Sequence, residues 1–428
     1  MKKITSILIA LAMVISTVIA VPVSAETVDG FDGTPATELK GKGDAASPYL
    51  ISNAAELAYA RNQINAGDWK DKTFKLTEDI DYDNQEWEPI GNDTNKFTGI
   101  FDGNRHKIMN LKITNGYKYI GVFGFVNMGT VKNLGIENLN ISAACTADGA
   151  GGIVGYIHYD KSVLSNCYIK DSTIVDSSYG KDHPVGAVVG SIGTNVKIDN
   201  CYAYGVDIWN NRGITGCFFG KLNLDGSTIT NCYVAKTALK PELGNSANRY
   251  GASYAFGYTN GKTATIENCY SAAEDTEGYN GGSADSYSHW LDSAKSAVVT
   301  KSATVSQVEA GLVTELEDTV FTTDIHVNGG YPCFKHEACF VLTDVTITSD
   351  NKVAVTVTRK AGVTLAPQVY IVSFNENRFI TAAIATLDKD TFEFDADVNL
   401  DAATKIKVFV WDGMRPVTMS YEEPVSEN

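Results

Sequence analysis

The sequence predicts an all-β fold: a right-handed parallel β-helix, capped by an N-terminal amphipathic helix and followed by a small antiparallel β-sandwich. Three observations predict it. A short phrase recurs through the middle of the chain, as Leu164-Ser165-Asn166-Cys167-Tyr168, Ile198-Asp199-Asn200-Cys201-Tyr202, Ile229-Thr230-Asn231-Cys232-Tyr233 and Ile266-Glu267-Asn268-Cys269-Tyr270. The four cysteines are 34, 31 and 37 residues apart, the spacing of a solenoid repeat. Strand-forming residues then alternate in a different, antiparallel rhythm after about Thr343.

Each repeat reads as two short strands around a bend, because the helical period is absent and Gly, Asn and Asp punctuate β-branched and aromatic runs. A degenerate copy stands at Val131-Lys132-Asn133-Leu134-Gly135-Ile136. Upstream of each phrase lies a Gly-flanked apolar element, as in Gly121-Val122-Phe123-Gly124, Gly152-Ile153-Val154-Gly155 and Gly186-Ala187-Val188-Val189-Gly190. One unit cannot bury its own apolar face, so stacking in register is required. Asn suits the bend, since it tolerates the left-handed conformation and can hydrogen-bond along a stack. A WD-type propeller would need longer, four-stranded repeats and lacks this phrase.

Alternation assigns the faces. With Ile198 inward, the bend resets the register, so Cys201 and Ala203 point in and Tyr202 points out. Ile136, Ile169 and Val234 then also point in. The expected result is a thiol ladder in the core and a surface ladder of Tyr168, Tyr202, Tyr233 and Tyr270, with rungs about 4.8 Å apart.

The elements follow in order. Residues 1–25 read as a signal peptide: Lys2 and Lys3, an apolar run from Ile4 to Val21, and a Val23-Ser24-Ala25 cleavage site. A linker is expected over 26–42, the β-helix over 43–340 and an Ig-like β-sandwich over 341–428. Asn53 with Glu56 reads as a capping box, Leu57, Ala60 and Ile64 follow at helical spacing, and Gly67 is the stop. That helix is expected to cover the open first coil. Gly329 to Phe334 is expected to be the closing strand. Val345/Ile347, Val353/Val355/Val357, Val369/Ile371, Phe392/Phe394 and Ile406/Val408/Val410 form the sandwich pattern.

Charge and cysteines bound the partners. A formal charge of −16 argues against nucleic acid, which needs clustered Lys and Arg, and against anionic membrane surfaces. No membrane span is expected in the mature chain. Of eight cysteines, four belong to the ladder, Cys333 and Cys339 are the expected disulfide, and Cys145 and Cys217 are unassigned.

Further motifs carry a resemblance. Ser47-Pro48-Tyr49-Leu50-Ile51-Ser52-Asn53, Leu76 to Asp81, Trp87-Glu88-Pro89-Ile90-Gly91 and Phe97 to Asn104 precede the Gly-flanked and Asn-Cys-Tyr repeats. In this order they resemble the GLUG-type β-helical secreted and surface proteins of Gram-positive bacteria, in the pectate-lyase-like group. The likeness covers about residues 43 to 340. It implies an extracellular location and surface or glycan-related roles, and it fixes no activity because members differ.

Candidate chemistry is sparse. His336-Glu337-Ala338-Cys339-Phe340 opens like a zinc-protease motif, yet Phe340 stands where the second His must be, so no metal is predicted. Asp79-Ile80-Asp81-Tyr82-Asp83 has the opening spacing of a calcium loop, but Asn84 replaces its Gly and Ile90 its bidentate Glu. Calcium stays an open minor expectation and no other cofactor is predicted. Arg105, in the Phe101 to His106 turn, reads as structural.

The loops before each Gly-flanked strand are richer. They carry Asp182 and His183, then Trp209, Asn211 and Arg212, then Arg249 and Tyr250, then His289 and Trp290. Insertions at one repeat position emerge on one side of a solenoid, and these are residue types that stack on sugars and bond hydroxyls. The expected function is binding of an extracellular glycan or host or cell-surface component, through this loop edge or the tyrosine ladder. A polysaccharide lyase or glycoside hydrolase, and an adhesin or surface spacer, are the competing readings.

Overall fold

The computed structural model describes residues 30–178, 183–210 and 213–239 continuously, and shorter stretches between 253 and 424. Among the described residues it is all-β apart from one helix: a parallel β-solenoid of about five turns, then antiparallel sheets.

The coil is built from four stacked sheets, all paired in parallel. One nine-stranded sheet runs from Tyr49–Ile51 through Ile100–Asp102, Val163–Ser165 and Lys197–Asp199 to Val298–Val299. A second carries Lys107–Met109, Gly135–Glu137, Tyr168–Asp176, Tyr202–Asn210, Tyr233–Leu239 and Tyr270–Glu274. Two five-stranded sheets stack Gly149–Gly151 on Val185–Gly186, and Phe123–Asn127 on Val154–His158 and Val189–Ile192.

The repeat phrase does what its chemistry requires. Asn133, Asn166, Asn200, Asn231 and Asn268 all sit at φ between 50° and 54°, the left-handed bend between the two nine-stranded sheets. The amides link along the stack: Asn166 Nδ2 donates to Asn133 Oδ1 at 3.1 Å, and Asn268 Nδ2 to Asn231 Oδ1 at 3.3 Å. Past the bend, Cys167, Cys201, Cys232 and Cys269 are fully buried in one core with Ile136, Ile169, Ala203 and Val234. Burial holds the thiols of Cys167 and Cys232 well above the usual range.

The helix, α1 (Ala54–Ala66), starts and ends as its residues dictate. Asn53 Oδ1 accepts the Glu56 N–H at 2.9 Å, and the Glu56 carboxylate reaches back past the N-cap to accept the Ser52 N–H at 2.6 Å, a variant of the capping box. Gly67 terminates it at φ 102°, where a side chain would be strained. Leu57, Ala58, Ala60 and Ile64 join the same core as Ile51, Phe74 and Leu76.

The C-terminal residues form a three-stranded sheet (Phe340–Ile347, Val353–Arg359, Thr391–Ala396) and a five-stranded sheet led by Arg378–Thr386, Gln368–Asn375 and Lys405–Asp412. Both are antiparallel and share one apolar cluster with Val353, Val355, Ile371 and Val408. The segment expected to close the coil does not add a rung. Val327–Phe334 pairs antiparallel with Phe321–Asp324, and this hairpin lies against the outside of the coil.

Candidate functional site

The second nine-stranded sheet presents two outward rows. Register places Lys107, Gly135, Tyr168, Tyr202, Tyr233 and Tyr270 in one, and Glu137, Lys170 and Tyr204 in the next. The tyrosine rings stack nearly parallel, at 5.1 Å from Tyr168 to Tyr202 and 5.0 Å from Tyr202 to Tyr233. Gly135 makes room below them, since a Cβ there would meet the Tyr168 ring at 2.4 Å.

This ladder is not a surface strip, which corrects the expectation that it could receive a polysaccharide. Tyr202, Tyr233 and Tyr270 are buried, and Tyr168 is 5% exposed. Phe321 and Phe334 of the hairpin cover them edge-on, with Phe334 5.3 Å from the Tyr202 ring. The hydroxyls are occupied too: Tyr202 donates to Glu337 Oε2 at 2.5 Å, Tyr168 to Glu137 Oε1 at 2.9 Å, and Tyr233 to the Pro332 carbonyl. Burial, then the Glu337 charge, pushes the Tyr168 and Tyr202 hydroxyls far up. Alternation correctly turns these rings away from the core. It cannot reveal that a later segment folds over them.

The Cys333–Cys339 disulfide is not formed. Cys333 lies buried beside Tyr202 and Tyr233, whereas Cys339 packs against the C-terminal apolar cluster, so the two face different cores.

At the seam between coil and hairpin lies a cleft of about 390 Å³, lined among others by Arg105, Lys107, Glu137, Lys170, His336 and Glu337. Most of its charge is committed. Lys107 Nζ meets Glu137 at 2.7 Å, and Lys170 Nζ lies 3.7 Å from Glu137 and 3.2 Å from Glu337. Glu337 also accepts the Phe334 N–H at 2.9 Å. Burial would raise the Glu137 carboxyl, but the Lys107 hydrogen bond and the Lys170 charge hold it below the usual value. Burial would lower Lys170, but Glu337 and Glu137 hold it above.

The neighbouring notch is different. Its volume is about 160 Å³, and it is lined by Arg105, Asn133, Asn166, Val320, Phe334, Lys335 and His336, with no carboxylate. Arg105 is exposed at φ 71°, and its guanidinium makes no ion pair among the described residues. The His336 ring stacks on Phe334 at 5.5 Å, and burial, then the Arg105 and Lys360 charges, pushes it down to about 4. It is therefore neutral at physiological pH. Asn166 Oδ1 is buried without a hydrogen-bond partner among the described residues. Arg105, His336 and Glu337 enter as site residues where sequence reading gave a structural turn and a failed metal motif. No local signal could have joined residues so far apart.

Of the loop-edge residues, His183 and Trp209 are described; Asp182, Asn211, Arg212, Arg249, Tyr250, His289 and Trp290 lie outside the described residues. The His183 carbonyl accepts from Asn210 Nδ2 at 3.1 Å, beside the end of the strand carrying Trp209. Asp79 and Asp81 of the calcium-like stretch are engaged by His106 and Asn110 at 3.1 and 2.8 Å.

No family model matches the chain. It is 37% identical over 124 residues to a "Putative Gly-rich membrane protein" of Evansella cellulosilytica, covering 27% of this chain and 13% of that one. It is 30% identical over 179 residues to "Halomucin" of Haloquadratum walsbyi, covering 38% of this chain and 2% of that one. The chain thus spans a small part of either relative. A crystal structure described as "a putative immunoglobulin A1 protease from Bacteroides ovatus" superposes with a TM-score of 0.51 at 19% identity, over 69% of this chain and 94% of that one. That likeness is one of fold. Among the described residues no helix is long and apolar enough to cross a membrane.

Proposed function

We propose that this is a secreted or surface β-solenoid protein that binds an extracellular glycan at the seam notch, through an acidic sugar. The observation that carries the reading is the carboxylate-free lining around an uncommitted Arg105, in a chain of net charge −16. Arg105 and Lys335 suit a carboxylate or sulfate, Asn166 Oδ1 a hydroxyl, and Phe334 with neutral His336 the apolar side of a ring. Similarity to stretches of Halomucin and of a membrane protein supports a surface setting. The helix α1 would serve as the lid of the first coil.

Binding is favoured over hydrolysis because Glu137 and Glu337 are both saturated by lysines and hydroxyls, and Glu137 is held ionised. A glycosidase needs one carboxyl kept protonated. Burial raises the cleft carboxyl of Asp171, so a hydrolase reading would turn to it.

An array of uronic, sulfated and neutral glycans, paired with a reducing-sugar assay, tests the reading. Retention of acidic glycans, lost at least tenfold in Arg105→Ala, is expected. Indifference to that substitution would overturn it, and turnover abolished by Asp171→Asn would move the assignment to an enzyme.

A further inference from the structure

A second surface lies on a different face of the coil, on the five-stranded sheet of Phe123–Asn127 and Val154–His158. Its outward side chains, with Tyr119 of the adjoining five-stranded sheet, form a shingled aromatic layer. Tyr156 lies 4.9 Å from Phe125 at 30°, 5.8 Å from Tyr119 at 27°, and 5.1 Å from His158 at 26°. Tyr159 packs its ring 3.8 Å from that of His158 and stands 50% exposed.

The next coil explains the layer. Register puts Ser191 opposite Tyr156, with Gly193 two residues on. A Cβ on Gly193 would stand 1.7 Å from His158 Cδ2, so His158 lies across the space a side chain would take. Tyr156 reaches over Ser191 to hydrogen-bond Asn223. Small residues on one coil thus let the rings of the coil below lie across it.

Two polar atoms beneath this layer are left over. Asn127 and His158 are cross-strand partners, each 8% exposed. Asn127 Oδ1 and His158 Nε2 have no hydrogen-bond partner among the described residues. Buried polar atoms without partners are rare and each needs an account. Burial lowers the His158 pKa, so its ring is neutral and able to accept.

We propose that this layer is a second, separate carbohydrate site, and that its ligand is a neutral sugar. Tyr159 and Tyr156 offer amphipathic ring surface for the C–H face of a pyranose. Asn127 Oδ1 and His158 Nε2 accept hydroxyl protons once Tyr159 swings off His158. The acidic groups of the rim disfavour an acidic ligand, against one cation, Lys221, that stands in register with Ser191. Asp93 takes the Tyr119 hydroxyl at 3.2 Å and ties down Lys118 at 3.0 Å, while Asp148 and Asp160 stand near Tyr156 and Tyr159. Lys96 and Lys118 are spent on ring faces, over Phe125 and Tyr119.

Affinity electrophoresis through hydroxyethyl cellulose, arabinoxylan and mannan tests this site independently of the seam. At least one of these should retard the wild-type chain. Tyr159→Ala should weaken that retardation about tenfold, and His158→Phe, which keeps the ring and removes Nε2, several-fold. Arg105→Ala should leave it unchanged. Melting temperatures within a few degrees of wild type establish that the variants are folded. No retardation by any of the three, or retardation undiminished in Tyr159→Ala, would overturn the proposal while leaving acidic-glycan binding at the seam standing. Loss in Arg105→Ala would place neutral sugars at the seam and overturn it as well.

Discussion

Glu337 ties the hairpin to the coil. Its carboxylate meets Lys170 at 3.2 Å, the Tyr202 hydroxyl at 2.5 Å and the Phe334 N–H at 2.9 Å. Removing one partner of a buried pair strands the others, so Glu337→Ala should cost about 3–5 kcal/mol in urea unfolding. Glu337→Gln keeps an acceptor and should cost less; equal losses would show that the charge matters and the acceptor geometry does not. The pairs also set a pH dependence. Glu137 is held below its ordinary value of 4.5, so its contribution is complete above that value and lost as pH falls through the folded one. Lys170 is held above 10.5, so its contribution is complete below that value and lost as pH rises through the folded one. Stability measured against pH should fall at both ends, and Glu137→Gln should flatten the acid limb. An acid limb unchanged in that variant would assign it to other carboxylates.

At the scale of the element, the Asn bend is the unit that repeats. Asn231 sits at φ 53°, donates to Asp199 at 3.1 Å and accepts from Asn268 at 3.3 Å. Asn231→Ala must hold an L side chain in the left-handed region and breaks both links, for an expected loss of about 1–2 kcal/mol. Asn231→Gly keeps the backbone conformation and should lose less, as read from denaturation midpoints; a reversed order would mean that the freedom glycine adds to the unfolded chain outweighs the dihedral strain. These bends explain why so much of the coil was legible. The Asn-Cys-Tyr phrase encodes the turn, the inward thiol and the outward ring within three residues. Capping of α1 by Asn53, Glu56 and Gly67 is equally local. What was not legible is contact between distant segments. Tyr202 and Glu337 are 135 residues apart, and nothing periodic links them. The aromatic layer escaped for another reason: Tyr156 and His158 lie beyond the Gly-flanked phrase, and their partners Ser191 and Gly193 are informative only once stacked.

For the whole molecule, the consequence is that the coil's aromatic flank is finished by a segment far downstream. A solenoid sheet with stacked tyrosines on its outside exposes a continuous apolar stripe, the kind of surface that invites association. The hairpin removes it by laying Phe321 and Phe334 edge-on across the rings, while Tyr233 bonds the Pro332 carbonyl. Asn328, at φ 50°, adds a bond to that same carbonyl at 3.1 Å. The seam notch exists only because this cover ends beside Arg105, so cover and site should fail together. Phe334→Ala deletes the ring that touches both Tyr168 and Tyr202 and should cost about 3–5 kcal/mol. Acrylamide should then quench tyrosine fluorescence more strongly, and acidic-glycan retention should drop along with that of Arg105→Ala. Neutral-sugar retention, on the sheet of Phe123–Asn127 and Val154–His158 and not on the sheet the hairpin covers, should persist. Quenching unchanged from wild type would mean that the tyrosines are shielded by something other than the hairpin.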